Sequence, residues 1–372
     1  MKTAFVVAAV LGAVSLVVAC DEDKKPAEPA ASAAAGPAAS AASPPVEPKA
    51  SPAELQAKTL KSVVAAWNAH DATKVAATYR PNGKLVIPGL PDFAGTAAIA
   101  QEAKDTFAAY SDFKLAVTRA YVHGSTVALE WVITGTNDGP NMGQKASGRS
   151  MGVQGGSVVT FDDQGLIVED HRYVDLPTIM SQLDPKAKAG SFRPVATLPA
   201  GATETRESKG TPDEAKTLAD GKAFYVALET KGGDLSPFLT DDSTLDDMTS
   251  PAQLKGPKAL VAYVAAVWKA VPDFTQTKPV QFAAGDVMVT EGATAGTQKG
   301  AFGPLKASNK PVSTRYLDFQ QMKDGKAGRD VTYGDSAEML VEIGAMPPLG
   351  APPAGSASAA PPATAAPAAK PK

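Results

Sequence analysis

The chain is built from two copies of one unit. Gly95-Thr96-Ala97-Ala98-Ile99 and Gly256-Pro257-Lys258-Ala259-Leu260 stand 161 residues apart. The same offset lays Ser111-Asp112-Phe113 on Pro272-Asp273-Phe274, Gly124 on Gly285, Glu130 on Glu291 and Gly135-Thr136-Asn137-Asp138-Gly139 on Gly296-Thr297-Gln298-Lys299-Gly300. Toward the end of each copy one residue drops out, so Tyr173-Val174-Asp175 meets Tyr333-Gly334-Asp335 at 160. An offset held with turns and glycines in register marks an internal duplication, and whatever fold one copy adopts the other must also satisfy.

Within a copy the hydrophobic period changes once, from helical to extended. Leu60, Val63, Val64 and Trp67 mark one face of a helix from Glu54 to about Ala69, with Asp71 placed to cap a short helix after it. A short strand around Leu85-Val86-Ile87 and a helix from about Thr96 to Tyr110 come next. Four strands then follow, near 113–122, 125–136, 149–161 and 166–175, punctuated by Gly124-Ser125 and Asp162-Asp163-Gln164-Gly165. The second copy predicts helices near 213–229 and 256–270 and strands near 274–283, 286–296, 311–322 and 327–334. Helices first and antiparallel strands afterwards give an α+β layout, here a curved sheet closed by helices around an apolar cavity.

Composition bounds the chemistry. The formal charge is −3 with basic residues scattered, so nothing in the sequence offers a nucleic-acid footprint. His70, His123 and His171 are far apart and form no metal-binding spacing, and no glycine-rich phosphate loop is present. The expectation is therefore a protein without metal or cofactor. Cys20 is the only cysteine. It ends Leu16-Val17-Val18-Ala19-Cys20, after a basic start and an apolar stretch from Ala4 to Ala19. That pattern resembles a bacterial lipobox, in which the thiol is acylated after cleavage of residues 1–19. The expectation is a lipid anchor at Cys20, carrying diacylglycerol and palmitate-type chains, that holds an extracytoplasmic protein to a membrane of the cell envelope.

Two stretches lack the residues to build a core. Residues 20–52 are almost entirely Ala, Pro, Ser, Glu and Lys, and 347–372 have the same character, so both are expected to be disordered spacers. Residues 185–211 show no clear period and are expected to link a first domain at 53–184 to a second at 212–346.

Trp67-Asn68-Ala69-His70-Asp71, Tyr110-Ser111-Asp112-Phe113, Val127-Ala128-Leu129-Glu130-Trp131, Gly135-Thr136-Asn137-Asp138-Gly139, Gly148-Arg149, Tyr173-Val174-Asp175 and the ending Ile179-Met180-Ser181-Gln182-Leu183-Asp184 follow one another in an order with precedent. The first domain resembles the SnoaL-like polyketide cyclase (ester cyclase) branch of the NTF2-like superfamily, and the second resembles it more weakly. The resemblance implies two tandem NTF2-like cone domains and cofactor-free acid–base chemistry. It carries a catalytic aspartate onto Asp175, with Asp335 as its counterpart. Strand alternation puts His171 and Tyr173 on the face of Asp175. If that face lines the cavity, the three form a catalytic set, and Trp131, Tyr333 and Asp335 contribute to ligand binding. Asn137 and Gln298 replace the family's turn histidine, while Gly292 and Val331 stand where the first copy has Trp131 and His171. The second domain is accordingly expected to be the degenerate one. The ligand expected is a small apolar or aromatic molecule. The competing expectation is a scaffold whose cavities are filled and whose cones pair within or between chains.

Overall fold

A computed structural model describes residues 51–349. Cys20, both Ala/Pro-rich stretches apart from Ser51, Pro52 and residues 347–349, and the proposed cleavage point lie outside them. The first copy comprises α1 (Pro52–Asn68), α2 (Ala72–Ala77), β1 (Tyr79–Val86), β2 (Phe93–Ala94), α3 (Gly95–Ala109), β3 (Lys114–His123), β4 (Thr126–Thr136), β5 (Ser150–Phe161), β6 (Ile167–Tyr173) and α4 (Leu176–Leu183). β7 (Glu204–Glu207) follows. The second copy comprises α5 (Pro212–Glu229), β8 (Leu239–Asp247), β9 (Leu254–Lys255), α6 (Pro257–Ala270), β10 (Thr275–Ala284), β11 (Val287–Thr297), β12 (Pro311–Lys323), β13 (Lys326–Gly334) and α7 (Ser336–Glu342). The four long strands of each copy fall within a residue or two of the ranges that alternation predicts.

Both sheets share one topology. The first runs β2-β1-β6-β5-β4-β3-β7 and the second β10-β11-β12-β13-β8-β9. In each, the strand after the first helical segment returns to pair in parallel with the last strand, β1 with β6 and β8 with β13, while the long strands pair antiparallel. The fold is α+β, with helices and sheet enclosing a cavity in each copy.

Local chemistry repeats as well. α1 and α5 both open with a capping box, Ser51 with Glu54 and Thr211 with Glu214. Asp112 accepts from the Thr136 backbone N–H at 2.5 Å and from its hydroxyl at 2.8 Å; Asp273 does the same for Thr297 at 2.8 and 2.7 Å. The paired Asp-Phe and Gly-Thr motifs thus act as clamps between a helix exit and the end of a strand.

The stretch between the copies is not featureless. β7 adds to the edge of β3 in parallel, pairing Arg119 with Glu204 and Val122 with Glu207. Its alternation of charged residues hides it from a search for apolar period, because an edge strand covered on neither face has nothing to bury. Arg193 of the same stretch pairs with Asp246 and donates to the Asp247 carbonyl oxygen at 2.9 Å.

The two sheets pack face to face. Ala128, Val158, Tyr121 and Tyr173 of the first form one buried cluster with Phe282, Val289, Leu317, Phe319, Val331 and Tyr333 of the second. Gly156 makes the approach possible: a Cβ there would lie 2.9 Å from Leu317 Cδ2 and 3.0 Å from Tyr333 Cδ2. Each sheet is consequently buried on both faces, one against its own helices and one against the other copy.

Candidate functional site

Apart from Trp131, the residues singled out from the sequence assemble at the junction of the two cones, not in the cavity of either cone. His171 and Tyr173 do share a face with Asp175, as alternation requires, but that face meets the second sheet. Tyr173 donates its hydroxyl to Glu291 at 2.7 Å, and His171 Nδ1 lies 2.5 Å from the same carboxylate. The second copy answers in kind. Tyr333 donates to Glu130 at 2.9 Å and Arg329 at 2.6 Å, while Tyr121 of Glu130's own sheet adds a third partner at 3.1 Å. Each copy thus offers a buried glutamate to the tyrosine of the other. The hydrogen bond to Glu291 pushes the His171 pKa up to about 9, so the ring is a cation facing a carboxylate.

Asp175 and Asp335 are exchanged in the same way. Asp175 caps α4 through the Thr178 N–H at 3.0 Å, and its other oxygen accepts from the Ser336 N–H at 2.9 Å and hydroxyl at 2.6 Å. Asp335 caps α7 through the Ala337 N–H at 2.9 Å and accepts from the Leu176 N–H at 3.3 Å. Burial, and then the charge of Asp175, push Asp335 up to about 8. Burial also raises Asp175, against four hydrogen bonds that favour its ionised form. This corrects the expectation of a catalytic set in the first cavity: Asp175, His171 and Tyr173, with Tyr333 and Asp335, join the two copies. Trp131 is the exception. It lines the first cavity, with its indole N–H on the Ser157 hydroxyl at 3.1 Å.

The cavity faces hold different acids. In the first copy Asp170 and Arg172 point inward from β6. Arg172 lies 3.1 Å from Asp170 and 3.8 Å from Glu102, with its guanidinium 5.2 Å from the centre of the Trp67 ring. Tyr79 donates to Asp170 at 2.8 Å. The floor is therefore a cluster of two acids around one guanidinium, with Glu102 pushed up by burial, and the space above it is about 150 Å³.

The second cavity is larger, about 280 Å³. Asp330 keeps the position of Asp170, but Thr332 stands where Arg172 stood, and Asp318 replaces Ser157. Asp318 accepts from Tyr225 at 2.7 Å and Thr332 at 2.7 Å, and it is hydrogen-bonded to Asp330, which also accepts from Gln320 at 3.2 Å. Burial raises both carboxyls, Asp330 well above its ordinary range because the charge of Asp318 adds to it. Two carboxyls in contact cannot both ionise cheaply, so one proton is held between them.

The aromatic bulk that seemed lost at Gly292 has crossed to the neighbouring strand. Trp131 pairs in register with Gly155, and Gly292 with Tyr316. A Cβ on Gly155 would sit 2.1 Å from the Trp131 ring, and one on Gly292 would sit 2.8 Å from the Tyr316 ring. One large ring and one glycine fit each strand pair, and either strand can carry the ring. Among the described residues, both side-chain polar atoms of Gln298 are buried without a partner at this cavity. Sequence reasoning passed over Asp318 and Asp330, although an acid between Leu317 and Phe319 and the recurrence of Asp170 as Asp330 were both visible.

No curated protein matches the chain. Among solved structures, a protein assigned as a polyketide cyclase from Xanthomonas campestris pv. campestris is 20% identical, with a TM-score of 0.33 over 36% of this chain and 100% of its own. TsrD from Streptomyces laurentii is 21% identical, with a TM-score of 0.32 over 35% of this chain and 94% of its own. An epoxide hydrolase-like protein of M. tuberculosis is 19% identical, with a TM-score of 0.30 over 36% of this chain and 92% of its own. The family model described as SnoaL-like polyketide cyclase matches residues 57–183 and again 223–343, which together exceed half of the chain. The chain therefore belongs to the SnoaL-like polyketide cyclase family, and carries its domain twice.

Proposed function

We propose that this is an envelope protein, anchored through Cys20, whose second cone binds a small apolar or aromatic molecule and exchanges a proton with it through the Asp318–Asp330 pair. The observation that carries the reading is that pair of neighbouring buried carboxyls at an apolar cavity of about 280 Å³. An engineered cavity of about 150 Å³ holds benzene, so a one- or two-ring molecule suits the larger space. Asp318, fixed by Tyr225 and Thr332, serves as the base, and Asp330 as the acid that keeps the pair hydrogen-bonded. The first cone, with its acid already paired to Arg172, serves mainly as the partner that covers the second sheet.

Two measurements test this. In methyl-labelled protein, phenylacetone should shift the signals of Leu235, Leu260 and Val264, which line the second cavity, before those of Leu60 and Val63, which line the first. Its carbonyl-adjacent protons should exchange with solvent faster with the protein present, and Asp318→Asn should lower that excess rate by about 100-fold or more. An unmoved second cavity would sink the binding reading; an unchanged rate in the variant would sink the proton-exchange one. For the anchor, Cys20→Ala should abolish incorporation of labelled palmitate and release the protein from the membrane fraction. Labelling that survives the substitution would refute it.

A further inference from the structure

We propose that the second cavity selects a protonated organic amine, with its ammonium seated on the Asp318–Asp330 pair and its aromatic or alkyl body against the ring-lined wall. This rests on the reading of that cavity as a ligand site and adds the charge of the ligand. The first copy provides the comparison. There the corresponding acid is balanced from within, by a guanidinium that contacts Asp170 and lies over an indole ring. In the second copy the arginine has become Thr332, while Ser157 has become Asp318 and Glu102 has become Tyr263, so a pair of acids is kept where the cation was removed.

Among the described residues, the second cavity's lining has three acids, Asp247, Asp318 and Asp330, and no lysine, arginine or histidine. Ionising either member of the Asp318–Asp330 pair puts a negative charge in a buried setting, eased by Arg329 only from a distance, so a cation in contact is favoured. Arg329 lies between Asp330 and Gly328 in sequence, but its guanidinium is turned to the other face, on Glu130. Lys278 lies 5.3 Å from the Tyr225 ring and pairs with Glu229 instead.

The remaining groups suit an ammonium. Tyr263, Trp268, Phe302 and Tyr316 supply ring faces that attract cations. Among the described residues two buried acceptors lack a donor there, Gln276 Oε1 and Gln298 Oε1, and the N–H groups of a primary or secondary amine would satisfy such atoms. A neutral or anionic molecule of the same shape leaves the charge unbalanced.

The test is calorimetric titration of the purified protein with three molecules of matched size: 2-phenylethylamine, 2-phenylethanol and 3-phenylpropionate. The amine should bind at least tenfold more tightly than the alcohol, and the carboxylate should not bind. Asp330→Asn should lower the amine's affinity at least tenfold and leave the alcohol's unchanged, which also shows that the variant is folded. Thr332→Arg, which restores the cation of the first copy, should abolish amine binding. Alcohol binding equal to or tighter than amine binding overturns the cation while leaving the cavity a ligand site. Failure of all three to bind overturns both readings. Amine binding that neither variant weakens places the amine elsewhere, and the proposal falls.

Discussion

Glu130→Ala should destabilise the protein by about 3 kcal/mol or more, the largest single effect expected of any charged residue in the fold. The carboxylate is 2% exposed and is held by Tyr333 and Arg329 from the second copy and by Tyr121 and Arg119 from the first. Removing it leaves two buried hydroxyls without their acceptor and takes from Arg329 its salt-bridge partner, where breaking one side of a buried pair is the costly case. Arg329 retains some exposure, which keeps the cost at the lower end of that class. Glu130→Gln, which preserves one acceptor oxygen, should cost about half as much. Urea denaturation monitored by tryptophan fluorescence measures both. A loss below about 1 kcal/mol for the alanine variant would mean that the exchanged glutamates contribute orientation but little stability.

Stability should fall as pH rises from about 4 to 9, by on the order of 3 kcal/mol. Two junction groups act in the same direction. Asp335 moves from an ordinary 3.8 to about 8 through burial and the neighbouring Asp175, with Glu338 adding to the effect. Its folded form therefore holds a proton that the unfolded chain releases at lower pH, and stability is lost from about 4 up through 8. His171 moves from 6.5 to about 9 through Glu291 and Glu169, so its contribution is complete below 6.5 and is lost as pH rises through 9. Urea midpoints at pH 5.5 and 9 should show the fall. Asp335→Asn should flatten the lower part of the curve and be more stable than the parent above pH 8. A parent curve that is flat or rising over this range would show that neither group is shifted as its surroundings imply.

Legibility in the sequence varied with the kind of interaction responsible. The long strands and main helices were visible because each depends on a local period, and the duplication repeats each period with the same turns. The exchange of Trp131 and Gly155 for Gly292 and Tyr316 was not visible, because the two members of each pair are 24 residues apart and meet only through strand register. A position-by-position comparison sees a lost aromatic where the structure has a moved one. β7 escaped for a different reason: an edge strand of charged residues leaves no apolar pattern to detect.

The sequence by itself determined the two-copy α+β architecture and the fact that His171, Tyr173 and Asp175 share a face. Alternation of side chains along a strand is a property of the backbone and needs no neighbours. Which face is which was decided only by tertiary structure. A sheet buried on one side announces its interior by polarity, but here both sides are buried, one under helices and one under the other copy. Each side carries acids, tyrosines and apolar residues, Glu130, Glu291 and Tyr173 on one and Asp170, Asp318 and Asp330 on the other. Only the packing of sheet on sheet shows that the first group joins the cones and the second faces their cavities.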